Sequence, residues 1–199
     1  MKFISLLCHL EDRKVVLASQ SPRRIELLKN VGLSFEVYPA QIEEGARGNE
    51  LPAEYVRHMA TEKAHWVARR TSADLIIAAD TVVTLNGRIY EKPLNHSEAE
   101  KMLRELSDNT HHVITGFCML YGDKVLIDHE ETAVTFYPLS DHEIEMYLQS
   151  DEPFDKAGAY GIQGFASLFI RKIDGCYFNV VGFPLGKFYQ QLKKLLSVQ

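Results

Sequence analysis

One carboxylate inside an apolar run sets the tightest condition on this chain. Asp74 to Leu85 reads DLIIAADTVVTL, a nearly continuous apolar stretch of the kind that forms a strand covered on both sides, and Asp80-Thr81 interrupts it. Burying an ionised carboxylate there is unfavourable unless a cation, a metal or a bound ligand compensates it. Either the fold brings a counter-charge to Asp80, or Asp80 marks a strand end at the surface. The Asn86-Gly87 that follows is a two-residue hairpin turn. Counting back from it pairs Leu85 with Arg88, Thr84 with Ile89, Val83 with Tyr90, Val82 with Glu91 and Thr81 with Lys92. Lys92 then lies beside Thr81. Regular pleating aims Asp80 at the opposite face, so a contact between Asp80 and Lys92 requires a bulge or a strand end.

Strand and helix patterns alternate on either side of this run. Lys14 to Ser19 is a short apolar strand, and Ser21-Pro22 caps and opens a helix carrying Ile25, Leu27, Leu28 and Val31 that stops at Gly32. Phe35 to Tyr38 reads as a second strand and Gln41 to Leu51 as a polar loop. From Pro52 to Arg70, Val56, Met59, Ala60, Ala64 and Val67 recur at helical spacing, with Lys63 inside the same face. Further on, a helix with Ala99, Met102, Leu103 and Leu106 ends at Ser107-Asp108-Asn109. Val113 to Tyr121 and Val125 to Tyr137 form a long antiparallel pair around Gly122-Asp123. A helix over Asp141 to Gln149, a glycine-rich stretch from Lys156 to Gly164, a strand over Leu168 to Ile173 and a helix over Pro184 to Leu196 complete the chain. Helices alternating with strands, plus one clear hairpin, imply an α/β fold with a mixed sheet.

Composition narrows the class of partner. The 199 residues suit one domain, or two tightly joined lobes, and no apolar run approaches the roughly 20 residues of a membrane span. A net charge of −5 argues against an electrostatic footprint for a nucleic acid polymer, so an anionic ligand is expected to be small and locally held. Cys8, Cys118 and Cys176 are far apart and odd in number, which fits a reducing cytoplasm and neither a disulfide framework nor a zinc site. Met1 to Leu10 lacks a cleavage signal and reads as an N-terminal extension.

Four segments carry candidate chemistry. Ser19-Gln20-Ser21-Pro22-Arg23-Arg24 puts backbone donors, hydroxyls and two guanidinium groups at the positive end of a helix, a phosphate site in outline; it equally describes a capped helix with two solvated arginines. Asp80 is the sharper signal. Lys63 either lays its stem over the core or aims its ammonium into a pocket. The stretch Asp155 to Gly164 has three glycines that allow close backbone approach and one amide, Gln163, able to meet donor and acceptor edges; it is also a plain glycine-rich turn between strands. The eight histidines, including the adjacent His111-His112, show no metal-binding spacing and read as structural or surface residues.

Taken together these segments resemble the Maf family of nucleoside triphosphate pyrophosphatases, from Val16 to about Leu192. The matching pieces, in order, are LASQSPRR followed by ELL, Glu43-Glu44, Ala60 with Lys63-Ala64, AADT at Ala78 to Thr81, Glu91-Lys92-Pro93, Leu106-Ser107 with Thr110-His111, Thr115-Gly116, EPFDKAGAYGIQG from Glu152 to Gly164, and NVVGFP ending at Pro184. The resemblance implies an elongated mixed β-sheet flanked by helices, with two lobes and a cleft. It implies a single domain over residues 14–199 after an extension over residues 1–13, and a homodimer. The implied reaction is hydrolysis of a nucleoside triphosphate to the monophosphate and pyrophosphate with a divalent metal cation, magnesium or manganese. Matched by motif, Asp80 would be the catalytic acid/base that activates water, and Ser19, Arg23, Arg24, Lys63 and Lys92 would hold the triphosphate. Glu44, with Asp80, would bind the metal. Arg23, Thr81 and Gln163 match the branch acting on dTTP and UTP, where they set base specificity; another branch looks specific for methylated GTP. A buried amide such as Gln163 leaves its own groups unpaired against the wrong base. Two alternatives stay open: a nucleotide-binding inhibitor of cell division without essential hydrolysis, and a pyrophosphatase for methylated GTP. Departures from the family pattern are Asp108 in place of glycine, Phe183 in place of leucine, and residues 1–13.

Overall fold

β-Strands and helices are interspersed along the chain. A computed structural model describes residues 2–42 and 50–197, so Glu43 and Glu44 lie outside the described residues. The elements, in chain order, are α1 (Phe3–Leu7), β1 (Val15–Leu17), α2 (Pro22–Asn30), β2 (Glu36–Val37), α3 (Pro52–Ala68), β3 (Leu75–Leu85) and β4 (Arg88–Tyr90). They continue with α4 (His96–Leu106), β5 (Thr110–Tyr121), β6 (Lys124–Phe136), α5 (Asp141–Leu148), β7 (Ile170–Asp174), α6 (Tyr177–Val181) and α7 (Leu185–Leu196). The strands form one seven-stranded sheet in the order β2-β1-β3-β5-β6-β7, with β4 paired to β3 alone. The β1 pairings with β2 and β3 are parallel, whereas β3–β4 and β6–β7 are antiparallel, the mixed α/β sheet expected from the sequence.

Two compact units divide the chain. The first comprises Met1–Asp80, Thr115–Glu130 and Gly182–Gln199; the second comprises Thr81–Ile114 and Glu131–Val181. In the first, α2 crosses between the parallel strands β1 and β2, as parallel pairing requires. There α3 buries Ala60, Ala64 and Val67 against Val16, Ala18, Ile76, Ala78, Cys118 and Leu120. Elsewhere in that unit Phe183, Phe188 and Phe117 pack ring against ring at 5.0–6.2 Å. The second unit has its own core, in which Leu103 and Leu106 of α4, Tyr147 of α5, Phe136, Tyr160 and Phe169 are buried together. Asn95 caps α4 by accepting from Glu98 N, and Ser140 and Glu143 form a capping box at α5.

Two local readings change, and a third segment, given no conformation in the sequence, acquires one. The hairpin forms with the expected pairs Val83–Tyr90, Thr84–Ile89 and Leu85–Arg88, but the ladder ends there. Beyond it the Glu91 carbonyl accepts from Gly158 N at 3.1 Å, and Pro93 follows two residues later. Among the described residues the ladder stops short of the expected pairs of Val82 with Glu91 and Thr81 with Lys92. Second, the strand read at Leu168 begins at Ile170, because Phe165–Phe169 winds as a 3-10 helix after Gly164. Third, the extension is helical: Ile4, Cys8 and Leu10 are buried, Ile4 N and Ser5 N donate to the Val31 and Gly32 carbonyls, and Ser34 N donates to Ser5 Oγ. Asp108, where the family has glycine, holds φ at +55°, a left-handed conformation that aspartate tolerates better than most residues.

Candidate active site

The run that opened the puzzle is a strand buried almost throughout, and Asp80 sits in it 8% exposed. Its counter-charge comes from α3. The buried face of that helix is Tyr55, Val56, Met59, Ala60, Lys63, Ala64 and Val67, so Lys63 is carried inward by the same 3.6-residue period as its apolar neighbours. Lys63, itself 7% exposed, places Nζ 2.6 Å from Asp80 Oδ1. Of the two roles open to Lys63, its ammonium takes the inward one. β4 stops at Tyr90, two residues before Lys92, so regular strand pairing does not fix where Lys92 lies. Asp80 Oδ2 accepts no hydrogen bond among the described residues, so one carboxylate oxygen is committed to Lys63 and the other is open.

The loop between β1 and α2 meets the same strand. Ser21 occupies the N-cap position but its side chain makes no cap bond, and the first turn of α2 holds no acidic residue to offset the positive end of the helix. Ser19, 8% exposed, accepts from Ser21 N at 3.2 Å and from Arg24 Nη1 at 3.3 Å. Arg24 is buried as well. Its Nη1 also donates to the Ala79 carbonyl at 2.8 Å, and its Nε donates to the Gly182 carbonyl at 2.9 Å. The guanidinium therefore ties the loop, the residue before Asp80 and the turn into α7 to one another. Arg23 is partly exposed on the same first turn. Within the first unit two hydrogen-bonded groups, Ser19–Arg24–Ala79 and Lys63–Asp80, thus adjoin through consecutive residues of β3.

The remaining expected residues lie in the second unit. Thr81 follows Asp80 and is partly buried, Lys92 is exposed just beyond β4, and Gln163 is exposed in the glycine-rich turn before the 3-10 helix. Of the histidines, His111 is fully buried and bonded through Nε2 to Tyr160 Oη at 2.6 Å, a structural role as the sequence suggested. Sequence reasoning missed the Arg24 bonds to two backbone carbonyls, for which a linear sequence holds no signal. It left Lys63 undecided, although its place among the apolar residues of α3 was the available clue.

A family model described as "Maf-like protein" matches residues 14–195. A dTTP/UTP pyrophosphatase of Bacillus cereus is 44% identical over 182 residues, which is 92% of this chain and 95% of that protein. A Bacillus anthracis dTTP/UTP pyrophosphatase is 44% identical over the same share of both chains. Among solved structures, the Staphylococcus aureus Ham1 protein is 17% identical with a TM-score of 0.46 over 62% of this chain and 72% of its own, a likeness too slight to argue from.

Proposed function

This chain belongs to the Maf-like protein family, and from that premise we propose that it hydrolyses dTTP and UTP to the monophosphate and pyrophosphate. The observation that carries the proposal is the buried Lys63–Asp80 pair, 2.6 Å apart, with the second oxygen of Asp80 open. A buried ion pair is weak evidence for stability, and its place next to Ala79, whose carbonyl Arg24 of α2 holds, fits chemistry on an anion. Water attacks the α-phosphorus in line, the bond from that phosphorus to the α–β bridging oxygen breaks, and pyrophosphate leaves. Asp80 is the acid/base that activates the water and takes up its proton. Ser19, Arg23, Arg24, Lys63 and Lys92 hold the triphosphate, and the charges of the last four offset that of the phosphates. Arg23, Thr81 and Gln163 select the base.

The residues present suit a divalent cation. Among the described residues no cluster of three or more His, Cys, Asp or Glu forms a closed metal cage. Magnesium and manganese need none, because one or two carboxylates completed by phosphate oxygens and water suffice. The open oxygen of Asp80 is one such donor and Glu44 would be the second. When bound, the cation supplies neutralisation of phosphate charge. The cytoplasm is the compartment this reading assigns, supported by three free cysteines, and no helix among the described residues is long and apolar enough to cross a membrane. The family resemblance also implies a homodimer, which sedimentation at twice the chain mass would establish.

Pyrophosphate release measured with magnesium or manganese across dTTP, UTP, CTP and methylated GTP tests the proposal. Preference for dTTP and UTP is expected. Preference for methylated GTP would move the chain to the other branch, and tight binding without turnover would make it a nucleotide-binding protein.

A further inference from the structure

The turn that carries Gln163 is held from outside itself. Ile162 before it is 7% exposed, Gln163 projects into solvent, and Gly164 after it takes φ +82°. The next residue, Phe165, donates its backbone N–H to Glu152 Oε2 at 2.9 Å, and Tyr147 Oη donates to Glu152 Oε1 at 3.2 Å. One carboxylate thereby joins α5 to the far end of the turn, thirteen residues along the chain. A Cβ on Gly164 would stand 2.6 Å from Glu152 Oε2, so the carboxylate occupies the space that only glycine leaves. Burial and the adjacent Glu152 charge push the Tyr147 phenol up, which keeps it a donor.

Three other ties fix the same segment. Lys156 Nζ donates to the Glu152 carbonyl at 2.5 Å and to Asp155 Oδ1 at 2.6 Å, and its stem lies where a Cβ on Gly161 would fall. Gly158 N donates to the Glu91 carbonyl at 3.1 Å. Tyr160 Oη meets His111 Nε2 at 2.6 Å. These anchors and the Glu152 bond bracket the four residues Gly161 to Gly164 on both sides.

A primary amide can pair with uracil or with cytosine, because turning it over exchanges its donor and its acceptor. Discrimination between these bases therefore needs the amide delivered from a fixed backbone. We propose that Glu152 is a positioning residue for base selection, holding the turn from Gly161 to Gly164 so that Gln163 reaches the base in one orientation. This inference rests on the reading that Gln163 meets the base.

The test compares the intact protein with Glu152→Gln, Glu152→Ala and Gly164→Ala. Values of kcat/KM for UTP and CTP are measured together with the ratio of Kd values for non-hydrolysable analogues of both. The UTP-to-CTP ratio is expected to fall about tenfold in Glu152→Ala, the worth of one misplaced hydrogen bond. Gly164→Ala should behave alike, and Glu152→Gln, which keeps the shape and one acceptor, should lie between. A merely structural role would lower both substrates in proportion to the folded fraction and leave the ratio unchanged, which would overturn the inference. If the unaltered protein binds UTP over CTP without hydrolysing it, and Glu152→Ala erases that preference, the positioning role stands while the hydrolytic reading fails. Absence of any base preference in the unaltered protein would also overturn the inference.

Discussion

Lys63 is the one charged residue in the buried stripe of α3, and the stripe decides where its ammonium goes. Substituting Lys63→Met leaves Asp80 buried without its partner, and urea unfolding at pH 7 should show a loss of about 3 kcal/mol. Adding Asp80→Asn to that variant removes the stranded charge, so the double variant should regain much of the loss; simple additivity would show that the two side chains are uncoupled. His111 gives a separate signature. Burial, and secondarily the neighbouring His112, lower its pKa from 6.5 to about 3. The unfolded chain takes up this proton and the folded one refuses it, so the stability is whole above pH 6.5 and is lost as pH falls from there towards about 3. The loss is about 2 kcal/mol by pH 5, and Glu or Asp titrations aside, His111→Gln should show a flatter stability profile between pH 7 and pH 5. An equal slope in both proteins would contradict the buried neutral imidazole. Asp80 was legible in the sequence because a carboxylate in an apolar run demands an explanation. The partner was not, because α3 and β3 are adjacent through packing rather than through pairing that can be counted.

Elements whose periodicity is strong were legible; those fixed by a single backbone contact were not. The β3–β4 hairpin followed from Asn86-Gly87, down to its register, yet it is two pairs shorter than the count, and beyond its end the Glu91 carbonyl meets Gly158 N from a segment far along the chain. α1 has too few residues for a helical period to be read, and it forms because Val31, Gly32 and Ser34 receive it. The contact of α3 with β5 is of the same kind. A Cβ on Gly116 would stand 2.5 Å from the Val56 backbone carbon and oxygen and 2.7 Å from Arg57 N. Backbone cannot rotate aside as a side chain does, so Gly116→Ala must push α3 off β5. The expected cost is about 3 kcal/mol, seen as a lower urea midpoint, and turnover should fall further than the folded fraction because α3 carries Lys63. A Gly116→Ala protein as stable and active as the original would contradict that packing.

At the scale of the molecule, β3, β5 and β6 each contribute residues to both compact units, and the boundary in β3 falls between Asp80 and Thr81. The expected catalytic carboxylate and an expected specificity residue are thus neighbours in sequence that belong to different units. The sequence order of motifs pointed to a mixed sheet and a family, since those depend on pattern over many residues. Removing divalent cations with a chelator should abolish pyrophosphate release, and restoring magnesium or manganese should return it; full activity in chelator would remove the metal from the proposal. The most direct test of the reacting centre is Asp80→Asn, with dTTP as substrate and the products separated. Turnover is expected to fall by about a thousandfold, far more than the lower unfolding midpoint that stranding Lys63 brings can account for, with thymidine monophosphate and pyrophosphate as the products of the unaltered protein. Undiminished pyrophosphate release by Asp80→Asn, or release of single phosphate by the unaltered protein, would contradict it.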